Sequence, residues 1–191
     1  MGKTATGKLV LIDAYSLLFR AFFSSRYLST TDNLPTGALY SFTNMLLYLI
    51  SSERPDAVVV CWDAPARTHR HTEYDQYKAH RPEVDSQLVT QMPVARRIVA
   101  AFGMQSAEAP GYEADDLIGT LASNGVRHGY AVTIVTGDTD QLQLAGDGVE
   151  VLITQRGVTE TKLYGRQEVV ERYGVPPEKI PDWKGLVGDS S

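Results

Sequence analysis

Two rhythms of apolar residues alternate along the chain. KLVLI at 8–12, DAVVVCW at 56–62 and YAVTIVT at 130–136 are continuous apolar runs of strand length, as in strands covered on both faces. Between them the spacing changes to steps of three and four. GALYSFTNMLLYLISS (37–52) places Leu39, Phe42, Leu46, Leu49 and Ile50 on one helical face. DSQLVTQMPVARRIVAAFG (85–103) predicts a helix that Pro93 kinks or divides and Gly103 closes. EADDLIGTLASNGVRHG (113–129) predicts another, with Leu117, Ile118 and Leu121 as its buried stripe. VEVLIT and TETKLYG read as two strands hairpinned around Arg156-Gly157, and RQEVVERYG as a short helix. VPPEK reads as a turn that starts a helix, and the remainder to Ser191 offers no strong closing element. Trp62 and Trp183 read as packing residues, and His128 as a residue near a helix end.

Strands separated by helices predict an α/β fold, a mostly parallel central sheet with helices on both faces. Residues 64–85 form the one long stretch with little apolar content. The chain has 191 residues, enough for one substantial core. No apolar run approaches the ~20 residues of a membrane span, and MGKTATGK lacks the apolar core of a signal peptide. A single cysteine, Cys61, excludes an internal disulfide and fits a reducing cytosol.

The acids change the picture. Asp13 follows the first strand and Asp63 the second. Glu113, Asp115 and Asp116 open a helix, Asp138 and Asp140 follow the third apolar run, and Asp189 lies near the end. Singly, each has an ordinary explanation, as a helix cap or in turn chemistry. Jointly, they fall after strands, and in a parallel sheet those loops gather at one edge. Two unit charges ~4 Å apart repel by about 4 kcal/mol at an effective dielectric of 20. Several such pairs rival a total stability of roughly 5–15 kcal/mol. Oxygen-only ligands call for a hard cation, Mg²⁺ or Mn²⁺. Eight carboxylates exceed the needs of one ion, so two are expected. A pair ~3.5–4 Å apart suits phosphodiester hydrolysis, one ion activating water and the other stabilising the leaving oxygen.

The net charge of −5 argues mildly against a nucleic-acid partner, but setting aside those eight negative charges turns −5 into +3. RTHRHTEYDQYKAHR (67–81) interleaves Arg67, Arg70, Lys78 and Arg81 with Tyr74 and Tyr77. Cations track phosphates and aromatics stack on bases, which suits a single strand. Arg20 on the first helix is a further cationic candidate. GKT at 2–4 lacks the upstream Gly and preceding strand of a P-loop, and no G-x-G-x-x-G occurs. TGDTD suggests a haloacid dehalogenase-like phosphatase. That class needs a second Asp two residues after the first strand's Asp, and Tyr15 stands there.

LVLIDAYSLLFRAFF, VVVCWDAPARTHRHTEYDQYKAHRP, PGYEADDLIGTLA, VTIVTGDTDQLQL and VGDSS resemble, in order, the blocks of the 5′–3′ exonuclease domain of bacterial DNA polymerase I. That domain is a member of the 5′-nuclease, flap endonuclease-like superfamily. The resemblance implies a PIN-like fold with a flexible arch around residues 64–90. It implies a two-metal nuclease acting on 5′ flaps, nicks, single-stranded 5′ ends and RNA primers in the bacterial cytoplasm, at the nucleoid. The implied cofactors are two Mg²⁺, replaceable by Mn²⁺. The implied metal-site acids are Asp13, Asp63, Glu113, Asp115, Asp116, Asp138, Asp140 and Asp189, with Asp115 and Asp138 central. Lys78 matches a basic residue that approaches the scissile phosphate, and Arg20, Arg70 and Arg81 match the family's phosphate-contacting positions, while Tyr77 joins the DNA contacts as an interleaved aromatic.

Periodicity leaves open which acids of GYEADD share a direction. An extended approach aligns 113 with 115, a helical one 113 with 116. The resemblance favours Glu113 and Asp115. The family continues past GDSS with another aspartate, an Asn and a Gly-rich helix–hairpin–helix. The expectation is therefore a catalytic domain at 1–175 and the start of a helical DNA-gripping region at 176–191, with a polymerase domain as a covalent partner. The alternative expectation is a catalytically weak or silent fragment that binds branched DNA.

Overall fold

The first apolar run forms a strand because its neighbours cover both of its faces. The computed structural model describes residues 5–25, 27–65, 68–74, 77, 83–156 and 160–188, with His71, Gln155 and Arg156 described by backbone alone. In it β1 (Gly7–Asp13) lies between β2 (Ala57–Cys61) and β4 (Tyr130–Thr136), parallel to both. β3 (Gln105–Ala107) adds to the free edge of β2, and β5 (Val149–Arg156) to that of β4. β6 (Glu160–Tyr164) returns antiparallel, which gives a six-stranded sheet of order β3-β2-β1-β4-β5-β6. The fold is thus the expected α/β arrangement, a mostly parallel sheet with helices on both faces. The paired strands agree with the expected hairpin, whose turn at 157–159 lies outside the described residues.

Alternation along the strands divides the core in two. Val10, Ile12, Val60 and Val135 face α1 (Ala14–Ser24), α2 (Gly37–Glu53) and α4 (Ser86–Ala101). Leu11, Cys61, Val132, Ile134 and Val151 face α5 (Ala114–Arg127) on the opposite side. Each fully buried Val, Leu or Ile contributes roughly 1.5–3 kcal/mol relative to exposure. Trp62 is buried and Trp183 packs edge-on against Tyr173, while His128 caps the end of α5.

Several expectations need correction. Of the two alternatives at Pro93, division fails, since α4 runs unbroken from Ser86 to Ala101. The stripe of α5 is Ala114, Ile118, Ala122 and Gly125, with Leu117 and Leu121 only partly buried. A methyl on Gly125 would stand 2.9 Å from both Leu9 and Val132, so small residues are what let this helix lie close on the sheet. β3 escapes the apolar pattern because QSA is polar and pairs only along an edge. Residues 86–90, at the end of the expected arch, are the first turns of α4. The arch also holds a short helix, α3 (His69–Glu73). The C-terminal segment does have a closing element. After α6 (Arg166–Tyr173), a 3-10 turn at Pro177–Lys179 leads into α7 (Ile180–Val187), whose Ile180 is buried in the second core. Among the described residues no helix is long and apolar enough to cross a membrane.

Candidate active site

The order of strands reverses at β1. The chain passes to β2 on one side and later to β4 on the other, so a crevice opens beyond the strand ends, where α/β folds bind ligands. Asp13 ends β1 and caps α1 there. Its Oδ1 accepts from the Ser16 amide at 3.0 Å, and its Oδ2 accepts from the Thr136 hydroxyl, at the end of β4, at 2.9 Å. Burial pushes the Asp13 carboxyl up to about 7. The hydrogen bonds from Ser16 and Thr136 oppose this, and the charges of Asp115 and Asp63 add to it.

The loop after β4 is tied down bond by bond. Ser16 Oγ accepts from the Gly137 amide at 2.8 Å, and Thr136 Oγ1 from the Asp138 amide at 3.0 Å. Asp138 Oδ1 then accepts from Asp140 N at 2.8 Å, capping the 3-10 turn Thr139–Leu144. Arg20 lies half-buried behind this loop and donates to the Gly137 carbonyl at 3.4 Å. A methyl on Gly137 would stand 2.7 Å from an Arg20 nitrogen and 3.0 Å from Ser16 Oγ. Gly137→Ala is therefore expected to cost about 1 kcal/mol, the low end of overpacking because the Arg20 tip can swing aside, and to release Arg20 from the Gly137 carbonyl. Urea unfolding checks the first effect, and an unchanged midpoint would contradict it.

Asp63 reaches across from the end of β2, and its Oδ1 accepts from Ala114 N at 2.8 Å, at the start of α5. The acids of GYEADD then separate. Glu113 is the extended N-cap of α5, with φ −92° and ψ 163°. Asp115 turns towards the other acids. Burial raises its pKa, with Asp138 the largest contributor among the neighbouring charges, followed by Asp63 and Glu113. The Gln141 amide, which donates to Asp115 Oδ1 at 2.7 Å, opposes that rise. Asp116 turns the other way, into a two-pronged bond from Arg70 at 2.9 and 2.7 Å. Burial pushes Asp116 up, but the Arg70 bond, the Glu113 amide and Arg70's charge together hold it below its ordinary value. Arg70 also reaches Glu113 Oε2 at 3.2 Å, and Tyr77 donates to the same oxygen at 3.1 Å.

Asp13, Asp63, Glu113, Asp115 and Asp138 thus gather at one crevice, where their charges act on Asp13 and Asp115, and Asp116 is drawn aside by Arg70. Asp140 stands apart, ion-paired with Lys184 of α7. Lys78, Arg81 and Asp189 lie outside the described residues, as does Arg67. Among the described residues, no group of three or more His, Cys, Asp or Glu side chains is gathered tightly enough to hold a metal ion as it stands. The hydrogen bonds give a reason, since oxygens of Asp13, Asp63 and Asp138 are engaged in capping helices and turns. The donor set nevertheless fits a hard divalent cation: it is all oxygen, and its like charges oppose ionisation until a cation offsets them.

Sequence reasoning missed Ser16, Thr136, Gln141 and Lys184. Ser16 carried a legible signal, a polar residue three after a capping Asp. Gln141 sits among the polar residues of GDTDQLQ, where only the fold reveals that it faces Asp115.

Residues 8–174 match the family model described as 5′-3′ exonuclease, N-terminal resolvase-like domain. DNA polymerase I of Bacillus subtilis is 41% identical over 98% of this chain, which spans 21% of that protein. A 5′-3′ exonuclease of Aquifex aeolicus is 40% identical over 95% of this chain and 61% of its own length. The chain therefore spans about a fifth of the polymerases and under two thirds of the exonuclease. A bacteriophage T5 flap endonuclease, solved as a pseudo-enzyme-product complex with DNA and metal ions, superposes with a TM-score of 0.72. It is 20% identical, with 95% of this chain and 66% of that one covered, a likeness of fold alone. With the match extending from β1 through α6, this chain belongs to the family of 5′-3′ exonuclease N-terminal, resolvase-like domains.

Proposed function

We propose that this chain is the catalytic part of a divalent-metal-dependent 5′ nuclease, hydrolysing phosphodiester bonds at 5′ flaps, nicks, single-stranded 5′ ends and RNA primers on DNA during bacterial replication and repair. The observation that carries this reading is that acids from separate segments face one another at the strand ends, where Asp13 and Asp115 are raised by burial and by the charges of their acidic neighbours. Membership of the exonuclease family supports it, as does the T5 relative of like fold solved with DNA and metal ions.

Asp13, Asp63, Glu113, Asp115 and Asp138 would hold two Mg²⁺, or Mn²⁺ in their place, with Asp116, Asp140 and Asp189 contributing at the margins. Such cations supply Lewis acidity, making water nucleophilic near neutral pH and stabilising charge on phosphate oxygens. The remaining work belongs to the chain's own residues. Thr136 and Ser16 fix the orientation of Asp13. Lys78 neutralises charge developing on the scissile phosphate. Arg20, Arg70, Tyr77 and Arg81 guide the strand, with Arg70 and Tyr77 reaching it from a segment anchored on α5. Residues 176–191 would begin a helical region gripping duplex DNA, and a polymerase domain would be a covalent partner, all in the bacterial cytoplasm.

A second reading, a branched-DNA-binding module with weak or no catalysis, is favoured by the loose spacing of the acids. Cleavage of 5′-labelled flap DNA with Mg²⁺, Mn²⁺ or EDTA separates the two. Metal-dependent release of short 5′ products is expected. Tight flap binding without turnover in either metal would select the binding module instead.

A further inference from the structure

The geometry points to Gln141 as a positioning residue that fixes how Asp115 presents its oxygens to a divalent cation. This rests on the metal-site reading of the acids and adds to it a residue that bears no charge and touches no substrate. Gln141 is only 2% exposed and lies on the 3-10 turn Thr139–Leu144. Its Nε2 donates to Asp115 Oδ1 at 2.7 Å, while its Oε1 is buried with no hydrogen-bond partner among the described residues.

Such an amide is a poor choice for packing. A buried acceptor without a partner costs about 1–3 kcal/mol. An unbranched apolar side chain of similar volume would fill the same space without that cost. The next residue, Leu142, packs in the second core, so an apolar neighbour is tolerated on this turn. What the amide does and a hydrocarbon cannot is donate to Asp115. That bond takes one lone pair of Oδ1 and fixes the plane of the carboxylate, which favours Oδ2 as the oxygen that meets a cation, from a fixed direction. Groups that orient a ligand from behind in this way typically govern metal affinity by 10–100-fold.

The test is Gln141→Met in the 191-residue chain, read by Mn²⁺ calorimetry and by urea unfolding in EDTA. The expected result is a Kd for Mn²⁺ raised about tenfold or more, with an unfolding midpoint equal to or above wild type. A residue that only packs would shift the midpoint and leave Kd unchanged, and that result overturns the proposal. Loss of the fold in Gln141→Met overturns it as well, because it would assign the amide to the core. A wild-type chain that binds no Mn²⁺ would instead remove the metal-site reading, and the positioning role with it.

Discussion

Asp115→Asn is expected to abolish metal-dependent cleavage and, in the absence of metal, to unfold at a higher temperature than wild type. The two effects share one cause. Asp115 is half-buried beside Asp138, Asp63 and Glu113, and its negative charge is opposed by all three. Asn keeps the shape, and its carbonyl oxygen can still accept from Gln141 Nε2, the bond that now stands at 2.7 Å. The substitution therefore removes repulsion without opening a cavity. Each ~1 kcal/mol so released raises the midpoint by about 2–4 °C in a chain of this size. The cost falls on function, because the substitution removes the charge that would attract the cations. Losing one preorganised electrostatic contact in an active site costs roughly 10²–10³ in rate, and a central ligand should cost at least that. Flap cleavage and thermal unfolding in EDTA read the two effects side by side. A variant that cleaves at the wild-type rate would remove Asp115 from the site.

The metal-free protein is expected to lose stability as pH rises from about 4 through 7, and to gain affinity for Mg²⁺ or Mn²⁺ over the same window. Asp13 sets the sign. Its carboxyl is raised from an ordinary 3.8 to about 7, chiefly by burial. Below about 4 it is protonated in both folded and unfolded chains and contributes no slope. Between the two values the folded chain holds the extra proton, so rising pH favours unfolding, by up to ~1.4 kcal/mol per pH unit for one proton. Above about 7 the penalty is fully present. Asp115, also raised, pushes the same way. Asp116, held low, adds stability that is lost only in stronger acid, below the ordinary carboxylate range. A cation must displace the Asp13 proton, so affinity should rise up to about tenfold per pH unit until pH 7 and then level off. Asp13→Asn should flatten the stability slope. Urea titrations in EDTA at pH 5 and pH 7.5 measure it, and a wild-type chain equally stable at both would contradict the buried, repelled state of Asp13.

The strands that cross the core were legible because both of their faces are covered, which leaves unbroken apolar runs such as KLVLI and AVVVC. Edge elements were not. β3 has three residues, two of them polar, and owes its existence to pairing with β2. In α5 the sequence pointed rightly to Ile118 but also to the large Leu117 and Leu121, whereas the rest of the buried stripe is made of small residues, Ala114, Ala122 and Gly125. For the acids, strand-end position predicted the meeting of Asp13, Asp63 and Asp138 with the start of α5. It could not predict that Asp116 would be engaged by Arg70, or Asp140 by Lys184, since these partners lie 46 and 44 positions away. The ordinary explanation of each acid also proved compatible with the functional one. Asp13, Asp63 and Asp138 do cap helices and turns, and that capping points them into the crevice.

Diffraction from crystals of the chain soaked in Mn²⁺, recorded for anomalous scattering, tests the central claim most directly. Manganese peaks are expected in the crevice between Asp13, Asp63, Asp115 and Asp138, with Asp115 Oδ2 at coordination distance, about 2 Å, and Oδ1 still on Gln141. Saturating Mn²⁺ with no peak among these acids, or peaks only elsewhere on the surface, would contradict it.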